Sequence, residues 1–364
     1  MYIGGNGGEE FLGGIHGALG CTTCHGGVDG IDDKQQAHAG LVSDPSANAE
    51  EACGRCHVEA ATNFAGSVHA SFAGYRTFFE ERAGLSFADH PEIEQEFLGE
   101  CGACHATCGQ CHVSRPVSVK GGLVQGHRFL PSPNQSENCT ACHGSRVGEE
   151  YTGSRTGYAA DVHYVPNAMN CMACHTSGEM HGDGTEYTRR YETAGMPRCE
   201  DCHAAAATAN TWHSMHWGQL QCQACHSQDY KNCNACHVGG GGITGSSYLT
   251  FKIGKNPLSD LRGYEYVVLR HIPVTEDTFD PWGVGDLANY ESMPTWKYAS
   301  PHNIRRFTAR TDTTGGVNGC DGCHDTPDEG GWFLRQADLD TLSAREAAAN
   351  EALIVPDGSP FTWP

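Results

Sequence analysis

The sequence is poor in positive charge and contains no long apolar run. Lysine and arginine number 23 against 44 aspartate and glutamate residues, which gives the 364 residues a formal net charge of −21. Because nucleic acid and anionic membrane surfaces are bound through basic clusters, both are disfavoured as partners. No stretch approaches the roughly 18 apolar residues that a membrane-spanning helix needs, so no membrane span is predicted.

Cysteine is also absent outside one repeated pattern. All 20 cysteines fall within ten copies of Cys-x-x-Cys-His, so none remains for a disulfide, a nucleophile or a separate thiolate metal site. In chain order the copies are Cys21/Cys24/His25, Cys53/Cys56/His57, Cys101/Cys104/His105, Cys108/Cys111/His112, Cys139/Cys142/His143, Cys171/Cys174/His175, Cys199/Cys202/His203, Cys222/Cys225/His226, Cys233/Cys236/His237 and Cys320/Cys323/His324.

This pattern is the attachment signature of c-type haem. The two thiols bond covalently to the porphyrin, and the adjacent histidine ligates the iron from one face. CxxC pairs also build zinc ribbons, but zinc binding gives no reason for a histidine after every pair. The sequence therefore predicts ten haem c groups, each held by the two cysteines of one copy, with the histidine of that copy as proximal ligand.

The density of these copies predicts the fold class. With ten haems in 364 residues, about 36 residues serve each haem, so the porphyrins supply most of the apolar surface to be buried. We predict a multihaem cytochrome c fold that is mostly coil, with short helices wrapped around a chain of stacked haems. Each copy should open a helical turn, because positions i, i+3 and i+4 share one helix face. Only Ala106 and Thr107 separate the third and fourth copies, which predicts two haems in near contact.

Four segments are predicted along the chain. Residues 1–20 form a flexible, glycine-rich arm that carries His16, and residues 21–237 hold nine of the ten copies. Residues 238–319 are haem-free, and residues 320–364 hold the tenth copy and a C-terminal helix over 336–354.

The haem-free segment has strand and turn signals of its own. It opens with the linker Gly239–Gly242. The runs 247–253 and 264–272 are rich in Tyr, Val and Ile and predict a small β element over 247–272. Residues 280–301 read as an extended loop, and a further helix is predicted over 92–98.

Eleven histidines lie outside the ten copies, close to the number of sixth ligand positions that ten irons present. We predict that most are distal ligands. His213 and His216 should cap the haems at Cys222 and Cys233, and either His271 or His302 should cap the haem at Cys320. Spacing does not pair the others. The full set is His16, His38, His69, His90, His127, His163, His181, His213, His216, His271 and His302.

Ligation on both faces decides between carrier and catalyst. An iron capped by two histidines passes electrons, whereas an iron with an open face can bind substrate. The supply of histidine therefore predicts long-range electron transfer without enzymatic activity. The acidic turns 29–33 and 181–186 would suit calcium, or are simply solvated turns.

By these motifs the chain resembles the multihaem c-type cytochromes over residues 21–324, and in particular the subunits of extracellular cytochrome filaments. The resemblance implies stacked bis-histidine haems, head-to-tail assembly with other copies of the chain, and electron exchange with redox partner proteins or extracellular acceptors. In such filaments a histidine of one subunit can ligate a haem of the next. His16 is similar in position to such a donor, and capping a haem of its own subunit is the alternative.

Two other groups have partial similarity. Decahaem conduits of the outer membrane share the haem number, but the nine-plus-one layout departs from their two pentahaem halves. The stretch CHATCGQCHVSRP loosely resembles octahaem reductases of nitrogen and sulfur oxyanions, although no CxxCK motif is present. That resemblance would make Tyr264, Tyr266, Arg305 and Arg306 candidate substrate contacts, with strand packing and salt bridges as the alternative.

The predicted location is extracellular or at the cell surface, with the periplasm as alternative. Bacteria and archaea attach haem c outside the cytoplasm, yet the acidic, glycine-rich start MYIGGNGGEEFLGG lacks the basic and apolar regions of a signal peptide. We therefore expect that a leader has been cleaved and that the numbering starts near the mature end.

Overall fold

The computed structural model describes residues 8–154, 157–229, 251–272, 274–312, 321–324 and 331–357. These residues form many short helices joined by coil, together with one small sheet, as the fold-class prediction expected. The ninth copy, Cys320 and the predicted linker Gly239–Gly242 lie outside the described residues. Within the described ranges, no helix is long and apolar enough to span a membrane.

Eighteen α-helices and three strands are found among the described residues. The helices are α1 Gly8–Leu12, α2 Ile15–Ala18, α3 Cys21–His25, α4 Lys34–Ala37, α5 Ala49–Ala52, α6 Val58–Phe64, α7 Ala73–Ala83, α8 Pro91–Cys101, α9 Cys108–His112, α10 Thr140–His143, α11 Glu149–Thr152, α12 Ser177–His181, α13 Cys199–His203, α14 Thr211–His216, α15 Cys222–His226, α16 Asp321–His324, α17 Gln336–Leu339 and α18 Ala344–Asn350. The strands are β1 Lys252–Lys255, β2 Tyr266–His271 and β3 Trp296–Tyr298.

The repeated motif itself nucleates many of these helices. Helices α3, α9, α13 and α15 each begin at the first cysteine of a copy and end at its histidine, and α10 and α16 end at a motif histidine. Short 3₁₀ turns take the same place at 102–104 and 171–173. This helical turn brings both thiols and the imidazole toward one side, as the spacing predicts.

The segment that precedes the first copy contains two short helices, the first of which begins at Gly8. Helices α1 and α2 cover most of the part of the predicted flexible arm that the structure describes. The His16 ring stacks on Phe129 with centroids 4.0 Å apart. His16 is therefore positioned by packing within its own chain.

Two helices of eleven residues are the longest in the described chain. Helix α8 begins at Pro91, a residue suited to the first helical position, and runs to Cys101. It contains the predicted helix 92–98 and delivers the first thiol of the third copy. Helix α7 was not predicted, because its sequence AGYRTFFEERA lacks a clean apolar stripe.

The described chain divides into two compact units that interleave in sequence. Unit 1 comprises residues 8–76, 95–144 and 170–196 and contains the first six copies. Unit 2 comprises residues 77–94, 145–169 and the described residues from 197 onward, and it contains the seventh and eighth copies and the described part of the tenth.

The small sheet of unit 2 is antiparallel in the order β1-β2-β3. Ile253 pairs with Val268, and Leu269 pairs with Tyr298. The sheet confirms the predicted β element, and β2 lies within the predicted run 264–272. Strand β1 shares only residues 252 and 253 with the predicted run 247–253, whose residues 247–250 lie outside the described residues. The third strand was predicted as loop, because it is only three residues long and gains its structure by pairing with β2 and burying Trp296 completely.

One face of this sheet packs directly on a Cys-x-x-Cys-His copy. Ala224, inside helix α15, is buried in a cluster with Phe251, Tyr266, Phe333 and Val355. Burial of such side chains stabilises by roughly 1.5–3 kcal/mol each. The haem-free segment and the C-terminal segment together are therefore the apolar support on which the eighth copy is placed.

The predicted C-terminal helix over 336–354 is broken into α17 and α18. The break comes at Ser343, whose hydroxyl accepts a hydrogen bond from the Glu346 backbone N–H at 3.1 Å and caps α18. Serine competes for backbone hydrogen bonds and is favoured at this capping position, so the apolar spacing alone overestimated the length.

Lys297, on β3, provides a pH-dependence prediction. Its ammonium lies 5.5 Å from the Phe78 ring centroid, and desolvation, followed by repulsion from Arg82, lowers the pKa of Lys297 from 10.5 to about 7. The unfolded state therefore binds more protons between these values, and stability must rise with pH across that window. We expect Lys297→Met to raise the free energy of unfolding at pH 6, with the gain shrinking toward pH 10.

This expectation can be measured by chemical denaturation followed by far-UV circular dichroism at pH 6, 8 and 10. A difference between Lys297→Met and the unsubstituted protein that stays constant across this range would contradict it. Lys255→Met is the matched control, since Lys255 is exposed at the end of β1.

Candidate haem-binding sites

The described cysteines are placed for attachment to a bound group. Seventeen of them are described, none of these forms a disulfide, and each is partly exposed or exposed. A cysteine that served only packing would be buried, since unpaired cysteine is among the most buried residue types. The thiols thus remain accessible from outside the polypeptide core. The most exposed of them are Cys21, Cys56, Cys104, Cys174 and Cys202.

Cys56 of the second copy and Cys174 of the sixth are two of the exposed thiols. Each lies in a turn, whereas Cys21 and Cys202 are exposed within helices. Their backbone N–H groups donate to the carbonyl oxygens of Cys53 and Cys171, at 3.1 and 3.2 Å, and in both copies the N–H of the motif histidine donates to the same oxygen at 2.9 Å. Each of these two copies therefore contains the single helical turn that the spacing predicts. Haem attachment at these two cysteines stays a prediction.

Histidines from two parts of the sequence meet in seven pairs. Each pair joins one motif histidine to one histidine from outside the copies, and the two ring centroids lie 6.0–6.3 Å apart. The pairs are His57–His16 at 6.2 Å, His25–His127 at 6.0 Å, His143–His69 at 6.3 Å, His112–His181 at 6.1 Å, His203–His163 at 6.0 Å, His226–His213 at 6.0 Å and His324–His216 at 6.0 Å.

This separation matches two imidazoles that share one metal ion. A metal–imidazole bond is about 2.0 Å long, and the ring centroid lies roughly 1.2 Å behind the nitrogen, so ligands on opposite faces have centroids roughly 6.3 Å apart. Rings in direct contact lie closer, as His105 does to Phe72 at 3.8 Å. The seven pairs therefore fit an iron between the rings.

The second ring nitrogen of several paired histidines is held by backbone. Nδ1 lies 2.8 Å from the Val42 carbonyl oxygen in His25, 2.7 Å from that of Leu130 in His112, and 2.8 Å from that of Trp212 in His216. Because a carbonyl only accepts, Nδ1 must carry the proton in these rings. The lone pair is then on Nε2, which is the tautomer a metal ligand requires.

Burial favours the neutral form of three of the paired histidines from outside the copies. Desolvation, reinforced by the neighbouring His143 and His105, lowers the pKa of His69 to about 4. Desolvation is also the main cause that lowers the pKa of His127 and of His181. A neutral imidazole is the form that binds a metal, so these environments favour ligation over protonation.

The ring pairs assign partners to three histidines whose partners the sequence spacing did not fix. His213 pairs with the eighth copy, as predicted from its position before Cys222. His216 pairs with His324 of the tenth copy, whereas the prediction placed it at the ninth. His16 pairs with His57 of its own chain, which is the alternative to donation to a neighbouring subunit.

Four predicted distal histidines are not brought to a motif histidine by any ring pair among the described residues. His38 donates from Nδ1 to the Lys34 carbonyl oxygen, and His90 contacts Glu92 at 3.1 Å. His302 is half-buried and lies in the segment that wraps the eighth copy. Of the motif histidines, His105 and His175 are likewise outside these seven pairs, and His237 lies outside the described residues.

His271 is the fourth of these, and it has a different partner from the one predicted. Its Nε2 atom lies 2.8 Å from the Glu346 carboxylate, and the side chain is 3% exposed at the end of β2. In the described part of the chain, the structure does not bring His271 to the tenth copy. Its Nε2 atom, which would bind iron, is engaged by a carboxylate instead. No sequence pattern indicates this ion pair, since 75 residues separate the two groups.

Thiols of different copies lie beside one another within each unit. In unit 1, hydrogen-bond contacts between thiols join the second copy to the fourth, the third to the fifth and the fifth to the sixth. These thiol pairs, in that order, are Cys53–Cys108, Cys104–Cys142 and Cys139–Cys171. Electrostatic interactions also link Cys24 of the first copy with Cys53, and Cys111 of the fourth copy with Cys142. In unit 2, Cys199 of the seventh copy contacts Cys222 of the eighth. Groups attached to these sulfurs would be held at adjacent points.

The four residues that the reductase hypothesis makes candidate substrate contacts each have a packing or hydrogen-bond contact within the chain. The Tyr264 hydroxyl donates to the Glu200 carboxylate, and Tyr266 is buried in the core of the sheet. Arg305 donates to the Ala160 carbonyl oxygen at 2.9 Å, and Arg306 lies over the Phe307 ring. These contacts correspond to the packing alternative.

The acidic turns also serve local structure. Asp33 caps helix α4, and Asp183 accepts hydrogen bonds from the Thr185 backbone and the Tyr187 hydroxyl. Among the residues that the structure describes, no group of three or more His, Cys, Asp or Glu side chains is arranged to hold a metal ion. The calcium prediction gains no support from these turns.

Comparison with known proteins adds little. No family model matches the chain. A solved structure of an octahaem cytochrome c from Shewanella oneidensis is similar at 16% identity and a TM-score of 0.31, over 56% of this chain and 61% of the other. A likeness at this level carries no argument, so the function must be inferred from the residues of this chain.

Proposed function

We propose that this protein is a multihaem c-type cytochrome that carries electrons along a row of covalently attached haems. The observation that supports it most directly is the set of seven imidazole pairs, each combining one motif histidine with one histidine from elsewhere at the separation one metal requires. A haem, when bound, supplies an iron that accepts and releases one electron.

The side chains of the chain would divide this task. The two cysteines of each copy would anchor the group, and the motif histidine would ligate its iron. At the seven paired sites the second histidine would be a further ligand and would keep water and substrate from the iron. This arrangement favours an electron carrier over a reductase with an open iron.

Adjacent thiols support transfer between sites. Cys53 and Cys108, from the second and fourth copies, contact each other, as do Cys139 and Cys171 from the fifth and sixth. A thioether leaves the sulfur in place, so edges of neighbouring groups attached there would be close. Such contacts join the second copy to the fourth, and the third, fifth and sixth copies to one another, and electrostatic interactions of Cys24 with Cys53 and of Cys111 with Cys142 complete the set of six.

The proposed assembly is a head-to-tail filament of copies outside the cytoplasm that exchanges electrons with redox partner proteins or extracellular acceptors. Its support is the resemblance in sequence to filament subunits. Because His16 is paired with His57 in its own chain, a different contact would have to join successive copies. Negative-stain microscopy of the secreted protein would show filaments if the assembly holds and separate particles if it fails.

The proposed function has a direct test in the intact mass. We expect the purified polypeptide to exceed its sequence mass by about 0.6 kDa for each of ten haems, because every copy supplies both thiols. Electron paramagnetic resonance of the oxidised protein should then show low-spin iron at the seven paired sites. The variant with Cys222 and Cys225 replaced by alanine is the control and should lose one haem mass.

Two results would contradict the proposal. A polypeptide with unmodified thiols would remove the cofactor. A haem-loaded protein that does not pass electrons from one reduced site to the others would leave separate haem sites without a conducting row.

A further inference from the structure

One paired histidine is hydrogen-bonded to a buried carboxylate. The Asp161 side chain is 2% exposed, and its Oδ1 atom accepts from both the backbone N–H and the ring Nδ1 of His163, each at 2.8 Å. Its Oδ2 atom accepts from the Ile304 backbone N–H at 2.8 Å. All three partners are N–H donors, so the carboxylate is fixed against the imidazole that pairs with His203.

A second histidine has the same kind of partner in unit 1. Nδ1 of His175 lies 3.1 and 3.0 Å from the two Glu179 carboxylate oxygens, and Glu179 is 5% exposed. Helix α12 holds Glu179 in place, because the Thr176 hydroxyl accepts from its backbone N–H at 3.3 Å. His175 is the motif histidine of the sixth copy.

The other held histidines differ in the charge of this partner. In His25, His112 and His216, Nδ1 is hydrogen-bonded to a neutral backbone carbonyl. A carboxylate on Nδ1 draws its proton away and makes Nε2 a stronger donor, which stabilises the more positive, oxidised state of a bound iron. Burial strengthens the effect, because a buried negative charge is weakly screened.

We infer that Asp161 and Glu179 are positioning residues that lower the reduction potential of one haem in each unit. These are the haem held by His163 and His203 and the haem of the sixth copy. The inference depends on the proposed function, since it concerns groups bound to those histidines. The two sites would accept an electron after the carbonyl-supported sites and, once reduced, would be stronger reductants than those sites.

The test is a redox titration of the holoprotein with Asp161→Asn and with Glu179→Gln. Each substitution keeps the shape of the side chain and removes its negative charge. In each variant we expect one one-electron step to move to higher potential while the other steps stay. Combining Asp161→Asn with loss of the seventh haem through Cys199→Ala and Cys202→Ala should abolish the shift, which identifies the haem.

A control variant distinguishes a shift in reduction potential caused by the lost charge from one caused by a less stable packing of the same segments. The Gln228 side chain accepts from the Ala159 N–H and donates to the Ala159 and Asn303 carbonyl oxygens at 3.0, 2.8 and 3.1 Å. Gln228 is uncharged and therefore connects the two segments that contain Asp161 and Ile304 through hydrogen bonds alone. Gln228→Leu should reduce stability and leave every potential unchanged.

The outcomes separate this inference from the proposed function. If mass spectrometry finds no haem, the proposed function fails and the inference fails with it. If the haems are present and low-spin but neither variant raises a potential, only the inference is overturned. If Asp161→Asn does not fold, Glu179→Gln provides the same decision in unit 1, and an unchanged or lowered potential there would refute it.

Discussion

Replacing His216 by methionine is expected to raise the reduction potential of the haem at Cys320 and Cys323, and of no other haem. His216 ends helix α14, with Nδ1 bound to the Trp212 carbonyl oxygen and the ring centroid 6.0 Å from that of His324. A thioether ligand stabilises reduced iron relative to imidazole. We expect a rise on the order of 0.1 V, a fraction of the ~0.8 V that axial ligands span.

His213 on the same helix is the matched comparison. It lies three residues earlier, and its partner is His226 of the eighth copy, with centroids 6.0 Å apart. His213→Met should therefore raise the potential of the haem at Cys222 and Cys225. Although the two substitutions are neighbours in sequence, they should act on haems of copies almost 100 residues apart.

Double variants decide which haem responds. The shift caused by His216→Met should disappear when Cys320 and Cys323 are replaced by alanine, and should persist when Cys233 and Cys236 are replaced instead. The opposite pattern would restore the prediction made from spacing, in which His216 caps the ninth haem. Spectroelectrochemical titration provides the measurement.

Replacing Arg310 by methionine should cost unit 2 about 3–5 kcal/mol of stability, because it leaves buried carbonyl oxygens without donors. The Arg310 guanidinium donates to the carbonyl oxygens of Ala224 and Ser227 at the end of helix α15 and lies 3.2 Å from the Asp229 carboxylate. It also lies over the Trp332 ring at 5.3 Å. Its side chain is 5% exposed, so water cannot replace these contacts.

The loss should be visible in guanidinium denaturation followed by far-UV circular dichroism. Arg306→Met is the matched control, since Arg306 is exposed and stacks on Phe307, and it should change stability by less than about 1 kcal/mol. Equal effects of the two substitutions would show that the segment around Arg310 does not hold the eighth copy in place.

Arg310 is one of several residues that donate hydrogen bonds to the backbone of the eighth copy. The Thr308 hydroxyl donates to the Cys225 carbonyl oxygen at 2.6 Å, and the Arg305 backbone N–H donates to the His226 carbonyl oxygen at 2.7 Å. The residues from 305 to 310 therefore fix the second thiol and the imidazole of one site. Nothing in the local sequence predicts this, because the partners are about 80 residues apart.

The sequence alone predicted the features that depend on residues close together in the chain. A Cys-x-x-Cys-His copy contains its own attachment groups and its own turn, so the ten candidate haem sites, the proximal histidines and many short helices follow from spacing. Helix α8 and strands β1 and β2 were found for the same reason, since their apolar periodicity lies within one short window.

The tertiary structure decided which distant side chains meet. His16, His127 and His69 find their partners 41, 102 and 74 residues away, and His271 turns to Glu346. Such pairings depend on the summed packing of both units, which no local pattern encodes. The number of candidate sites follows from the sequence. The partner histidines of seven of them, the contacts between thiols and the charge beside each imidazole depend on remote segments that only folding brings together.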